Sequence, residues 1–121
     1  MSLVNDSVTQ VLSLALDGVS MRQRVTADNI ANVDTPNYRA SSVDFESSLR
    51  QAVEDGSVAN GDLSGISVET TATDTPVGAN GNNVDLRKET LAAVQSQYQY
   101  QVLSRAVNDQ FSLIRDSLGG Q

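Results

Sequence analysis

The stretch Asp28-Asn29-Ile30-Ala31-Asn32-Val33-Asp34-Thr35-Pro36-Asn37-Tyr38-Arg39 decides how this chain folds, because its first long helical run has to stop there. Pro36 has no amide hydrogen and denies Thr35 the helical conformation, so the helix ends near Asn32. Asn37, which tolerates a left-handed backbone, then supplies the turn.

Upstream, Val4 to Ala31 contains neither Pro nor a turn cluster. Val4, Val8, Val11, Leu12, Ala15 and Val19 recur at the three- and four-residue spacing of one helix face. Gly18 weakens that helix by roughly 1 kcal/mol relative to Ala, which fits a bend or a close helix contact. Past Arg22 the stripe thins to Val25 and Ile30. Downstream of the turn, Arg39 to Ala52 reads as one short amphipathic segment carrying Val43, Phe45 and Leu49, which completes an N-terminal region over residues 1–52. Residues 53–83 are rich in Gly, Ser, Thr and Asn and include Pro76, which predicts a flexible middle region. Within it, Ile66, Val68 and Thr70 alternate with Ser67, Glu69 and Thr71, the pattern of one short strand or half a hairpin.

Residues 84–121 are the clearest. Asn83 or Asp85 can cap a helix that runs to Leu118, where Gly119 and Gly120 end it, a length of roughly 50 Å at 1.5 Å per residue. Leu86, Ala93, Tyr100, Val107 and Ile114 recur every seven residues, and Leu103, Phe111 and Leu118 widen the seam. Tyr98 and Tyr100 cannot face the same way, which puts one in the seam and the other at its edge. Such a helix is too long for a 121-residue chain to cover. The N-terminal helix, of this chain or of a neighbour, is its natural partner. The predicted fold is mainly α, a single structural domain in which the N- and C-terminal helices pair as a coiled-coil-like bundle around a short irregular or β middle segment.

Composition removes most chemistries. The net charge of −7 and the scattering of eight Lys and Arg argue against nucleic acid, which demands clustered positive charge. Without His or Cys there is no Ser/His/Asp or Cys/His centre and no common zinc site. Asp44 and Glu46 are the only pair worth weighing as acid and base, and a solvated face accounts for them better. Asn80-Gly81-Asn82-Asn83-Val84-Asp85 fails as a calcium loop, because aligning Gly81 with the loop glycine puts Pro76 where the first acidic ligand belongs. It reads instead as a turn feeding a helix cap. No catalytic residue, cofactor, metal or small-molecule substrate is expected. The N-terminus has neither a positive n-region nor an apolar h-region, so no cleaved signal peptide is expected either.

Two segments carry a resemblance. Asn29, Ile30, Ala31, Asn32, Thr35, Pro36 and Tyr38 stand as they do in the signature of the flagellar axial proteins, the rod, hook and hook-associated subunits. Asn82, Asn83, Val84, Asp85 and Leu86 are similar to the start of the C-terminal helix in that family. Their close spacing resembles the FlgB type of proximal rod protein most, with the FlgC type as the near alternative. The resemblance implies a structural subunit of the periplasmic rod in the basal body, exported unfolded and uncleaved by the flagellar type III apparatus. It also implies contacts with copies of itself, with other rod proteins, and with the membrane ring and rod adaptor proteins. The implied assembly interface sets Val4, Val8, Val11, Leu12, Ala15 and Val19 against Tyr100, Leu103, Val107, Phe111, Ile114 and Leu118. Periodicity alone would also allow a small cytosolic helical adaptor or chaperone-like module.

Overall fold

The computed structural model describes residues 3–119, with side chains from Ser7 onward. Helix α1 (Leu3–Ala31) is followed by strand β1 (Ser41–Asp44), helix α2 (Glu46–Glu54), strand β2 (Glu69–Ala72) and helix α3 (Leu86–Gly119). The two terminal helices pack on one another as the sequence predicts. They run antiparallel: the end of α1 at Asn32 meets Asn82 just before α3, Arg22 reaches Gln99, and Leu103 lies against Ala15 and Val19.

α1 continues without interruption through Gly18. The glycine is a contact and not a break: a Cβ there would collide with the Phe45 ring. Ala15, Val19 and Phe45 form the small apolar core, with Leu103 of α3 packed against it.

The predicted amphipathic segment between Arg39 and Ala52 is two elements. Val43 and Phe45 are buried two residues apart, as on a strand, whereas Phe45, Leu49 and Ala52 follow helical spacing. The chain changes period at Phe45. Asp44 marks the change, its carboxylate accepting the Ser47 amide at 3.1 Å in the first turn of α2.

The middle region holds a strand, placed later than the alternation suggests, over Glu69–Ala72 instead of Ile66–Thr71. It forms no local hairpin. β2 runs antiparallel to β1, with Ser41 opposite Ala72, Val43 opposite Thr70 and Asp44 opposite Glu69. All four β2 residues are exposed, so this strand is held by backbone pairing and not by an apolar face. The ladder decided its position.

Candidate functional site

The segments flanking the first turn and preceding α3 dock onto each other through three buried asparagines. Asn29 is fully buried near the end of α1. Its Nδ2 donates to the Ser41 carbonyl at 2.8 Å, while its Oδ1 accepts the Ser41 amide at 3.2 Å and the Tyr38 hydroxyl at 3.1 Å. One side-chain amide thus satisfies both backbone groups of Ser41, as a neighbouring strand would. With β2 on its other edge, β1 is paired on both sides.

Asn82 donates from Nδ2 to the carbonyls of Asn32 at 2.8 Å and Thr35 at 2.7 Å, and its Oδ1 accepts the Val84 amide at 2.7 Å. It therefore ties the frayed carbonyls at the end of α1 to the approach to α3. Asn83 accepts the Ala40 amide at 2.6 Å and donates to Thr73 Oγ1 and the Thr75 carbonyl, both at 3.3 Å. The α3 cap itself is Asp85, whose carboxylate accepts the amides of Arg87 at 3.1 Å and Lys88 at 3.2 Å. Asn37 is left-handed as expected, with φ 66°, and donates its amide to the Asn80 carbonyl at 3.0 Å. It lies against Gly81 (φ 80°), where any Cβ would strike its side-chain oxygen. Tyr38 folds back onto the knot. Burial raises its hydroxyl pKa, and the charges of Asp28 and Glu89 raise it further.

A second cluster ties α2 to the helix pair. Arg22 Nη2 bonds Glu46 Oε1 at 2.6 Å and the Val43 carbonyl at 2.8 Å, its Nη1 reaches Gln99 at 3.2 Å, and its guanidinium lies 5.2 Å from the Phe45 ring centre. Glu46 is thus an ion-pair partner, on a face that leaves its side chain half exposed. Burial pushes its carboxyl up, but the Arg22 hydrogen bond, its own and the Phe45 amides and the Arg22 charge outweigh that, leaving it below the ordinary value. Asp44 is exposed and held low by hydrogen bonds from Ser47.

The residues expected at an assembly interface divide. Ala15 and Val19 are core, with Leu103 against them; Val11, Leu12, Val107 and Ile114 are half-buried. Val8, Tyr100, Phe111 and Leu118 are exposed. Val4 lies in α1, but its side chain is outside the described residues. Both tyrosines of α3 face solvent, Tyr98 at 67% and Tyr100 at 39%, because α1 covers instead the line of Glu89, Ser96 and Leu103. A further stripe escaped the heptad reading. Leu91, Val94, Tyr98 and Val102 stand three and four residues apart along α3 beside the line that α1 covers, and all four are exposed. Tyr98 and Val102 continue into an open apolar groove of about 410 Å³, where Leu49 of α2 and Ala15, Val19 and Phe45 form the far wall. Helix α3 therefore carries exposed apolar side chains along two stripes, Tyr100, Phe111 and Leu118 in one and Leu91, Val94, Tyr98 and Val102 in the other. The three-and-four spacing of Leu91, Val94, Tyr98 and Val102 was legible in the sequence. The pairing of Asn29 with Ser41 was not, since nothing in spacing says which backbone groups a buried amide will meet.

No helix among the described residues is long and apolar enough to cross a membrane. The family model described as "Flagella basal body rod protein" matches residues 12–39. "Flagellar basal body rod protein FlgB" of Bacillus subtilis (strain 168) is 34% identical over 128 residues, covering 99% of this chain and 98% of the relative. The protein of the same name from Borreliella burgdorferi is 36% identical over 116 residues, with 82% and 86% covered. That of Escherichia coli (strain K12) is 31% identical over 124 residues, with 87% and 88% covered.

Proposed function

Because the chain belongs to the FlgB family of flagellar basal body rod proteins, we propose that it polymerises through its terminal helices, the uncovered faces of α3 docking on neighbouring subunits to form part of the motor drive shaft. A structural subunit of the basal-body rod associates with other rod components. The finer reading is that its neighbours include copies of itself and the membrane ring and rod adaptor proteins. In this reading it reaches the periplasmic rod through the flagellar export apparatus and has no catalytic role.

The observation that carries this reading is the pair of exposed apolar stripes on α3. The exposed members of the seam side, Tyr100, Phe111 and Leu118, and the stripe of Leu91, Val94, Tyr98 and Val102 hold large apolar area that one short chain leaves in water. Burying a side chain of this kind is worth about 1.5–3 kcal/mol, so a few such contacts outweigh the cost of ordering a subunit. Val8, Val11, Leu12, Val107 and Ile114, half-buried or exposed along the helix pair, extend the same surface.

Val94→Asp and Val102→Asp test it, because both positions are exposed in the lone subunit. Each variant should be exported and fold with unchanged melting temperature, yet be missing from purified basal bodies, since a charge would be buried at the contact. Normal incorporation of both would overturn the reading. A discrete soluble dimer that never enlarges would favour a small adaptor instead.

A further inference from the structure

Two Asn-Gly dipeptides occur in the chain, Asn60-Gly61 and Asn80-Gly81. Such a pair is prone to close into a succinimide, because the glycine has no Cβ to keep its amide nitrogen away from the asparagine side-chain carbonyl carbon. The two turns match at the glycine. Both glycines are left-handed, with φ 80°, and each donates its amide at 3.0 Å to the carbonyl three residues back, Gly61 to Val58 and Gly81 to Gly78. They differ at the asparagine.

Asn80 is engaged through both of its carbonyls. Its backbone oxygen accepts the Asn37 amide at 3.0 Å, and its side-chain oxygen accepts the Asn82 amide at 3.2 Å. Gly81 also lies against the Asn37 side chain, where even a Cβ has no room. Closing the ring turns the Asn80 peptide plane and draws the side-chain carbonyl carbon onto the Gly81 nitrogen, so both bonds must break within the knot. Asn60 is exposed in the loop after α2, and neither of its carbonyls accepts a hydrogen bond from another described residue. There, only the bond from the Gly61 amide to Val58 has to open.

We infer that Asn60 is a site of spontaneous deamidation and isoaspartate formation, and that the asparagine knot spares Asn80. The Gly61 amide nitrogen gives its proton to solvent base and bonds to the Asn60 side-chain carbonyl carbon. The bond from that carbon to Nδ2 then breaks, and ammonia leaves with a proton from solvent. Water opens the succinimide at either carbonyl, which leaves aspartate in one case and isoaspartate, its main chain rerouted through the side-chain carbon, in the other. A water is consumed, an ammonia is released, and nothing is oxidised or reduced. The new carboxylate joins Asp55 and Asp62, both exposed in the same loop.

Ageing the intact folded chain in mildly alkaline buffer tests the inference, read by peptide mapping with mass spectrometry and by enzymatic detection of isoaspartate. The urea-unfolded chain is the reference, in which the two dipeptides should react at similar rates. In the folded chain Asn60 should convert to a mixture of aspartate and isoaspartate about tenfold faster than Asn80, or more. Tenfold corresponds to about 1.4 kcal/mol of added barrier, the order that the hydrogen bonds held by Asn80 supply. No conversion at Asn60, equal rates at the two sites in the folded chain, the same ratio of rates after unfolding, or aspartate at 60 without isoaspartate each overturns the inference. None of these readouts involves polymerisation, which the Val94 and Val102 variants test separately.

Discussion

Asn29 shows how much one side chain carries here. Replacing it with Ala would strand the Ser41 amide and carbonyl and the Tyr38 hydroxyl, all part-buried, and at about 1 kcal/mol each, the low end for an unsatisfied group, the variant should lose roughly 3 kcal/mol in urea unfolding. Asn29→Asp is the sharper test. The ionised carboxylate can still accept but sets an oxygen against the Ser41 carbonyl, while the protonated acid can donate to it. The folded-state pKa of the new Asp should therefore rise, so this variant should gain stability relative to wild type as pH falls through that raised value. Glu46 works in the opposite sense. Its depressed pKa means that the Arg22 pair contributes fully above the unfolded carboxylate range and is lost as pH falls through the lower, folded value. For this half-exposed partner the contribution is about 1 kcal/mol or less. The stability gap between wild type and Glu46→Gln should thus be present at neutral pH and vanish in acid.

At the scale of elements, the helices were readable because their signals are local and agree. Pro36 stops α1, Asp85 caps α3, and the apolar stripes have the right period. β1 and β2 were harder, because their positions follow from long-range pairing and from Asn29 standing in as a third strand. The segment around Val43, Phe45 and Leu49 had the right buried residues but mixed two periods, and a single amphipathic element blurs that change. Of the asparagine knot, the sequence showed the turn and the cap, while which amide meets which carbonyl depends on the folded path. Gly18 makes the competition between local and tertiary effects measurable. Ala at that position should favour the helix by about 1 kcal/mol, but its methyl occupies the space of the Phe45 ring. Overpacking costs typically about 1–3 kcal/mol, so Gly18→Ala should lower the midpoint of thermal unfolding followed by circular dichroism.

For the whole molecule, the apolar core among the described residues is small, Ala15, Val19 and Phe45 with Leu103 against them and Ala40, Val43 and Ala52 buried besides, too little to hold two long helices along their length. Stability of the subunit should therefore depend on concentration, the melting temperature rising as copies associate. Leu103→Asp and Val102→Asp separate the two layers of that dependence. Leu103 touches the core, so its variant should both melt earlier and fail to assemble; Val102 faces water and should only fail to assemble.

The knot of Asn29, Asn82 and Asn83 sits at one end of the helix pair, where α1 stops and α3 begins. Mechanically the subunit is a clothes-peg, sprung at the asparagines and gripped only lightly at its jaws, where the last turns of α3 are mostly exposed. Amide exchange should be slowest beside the spring and quicken steadily toward the tips. Whatever parts at the tips, the register of the two helices is kept at the asparagines.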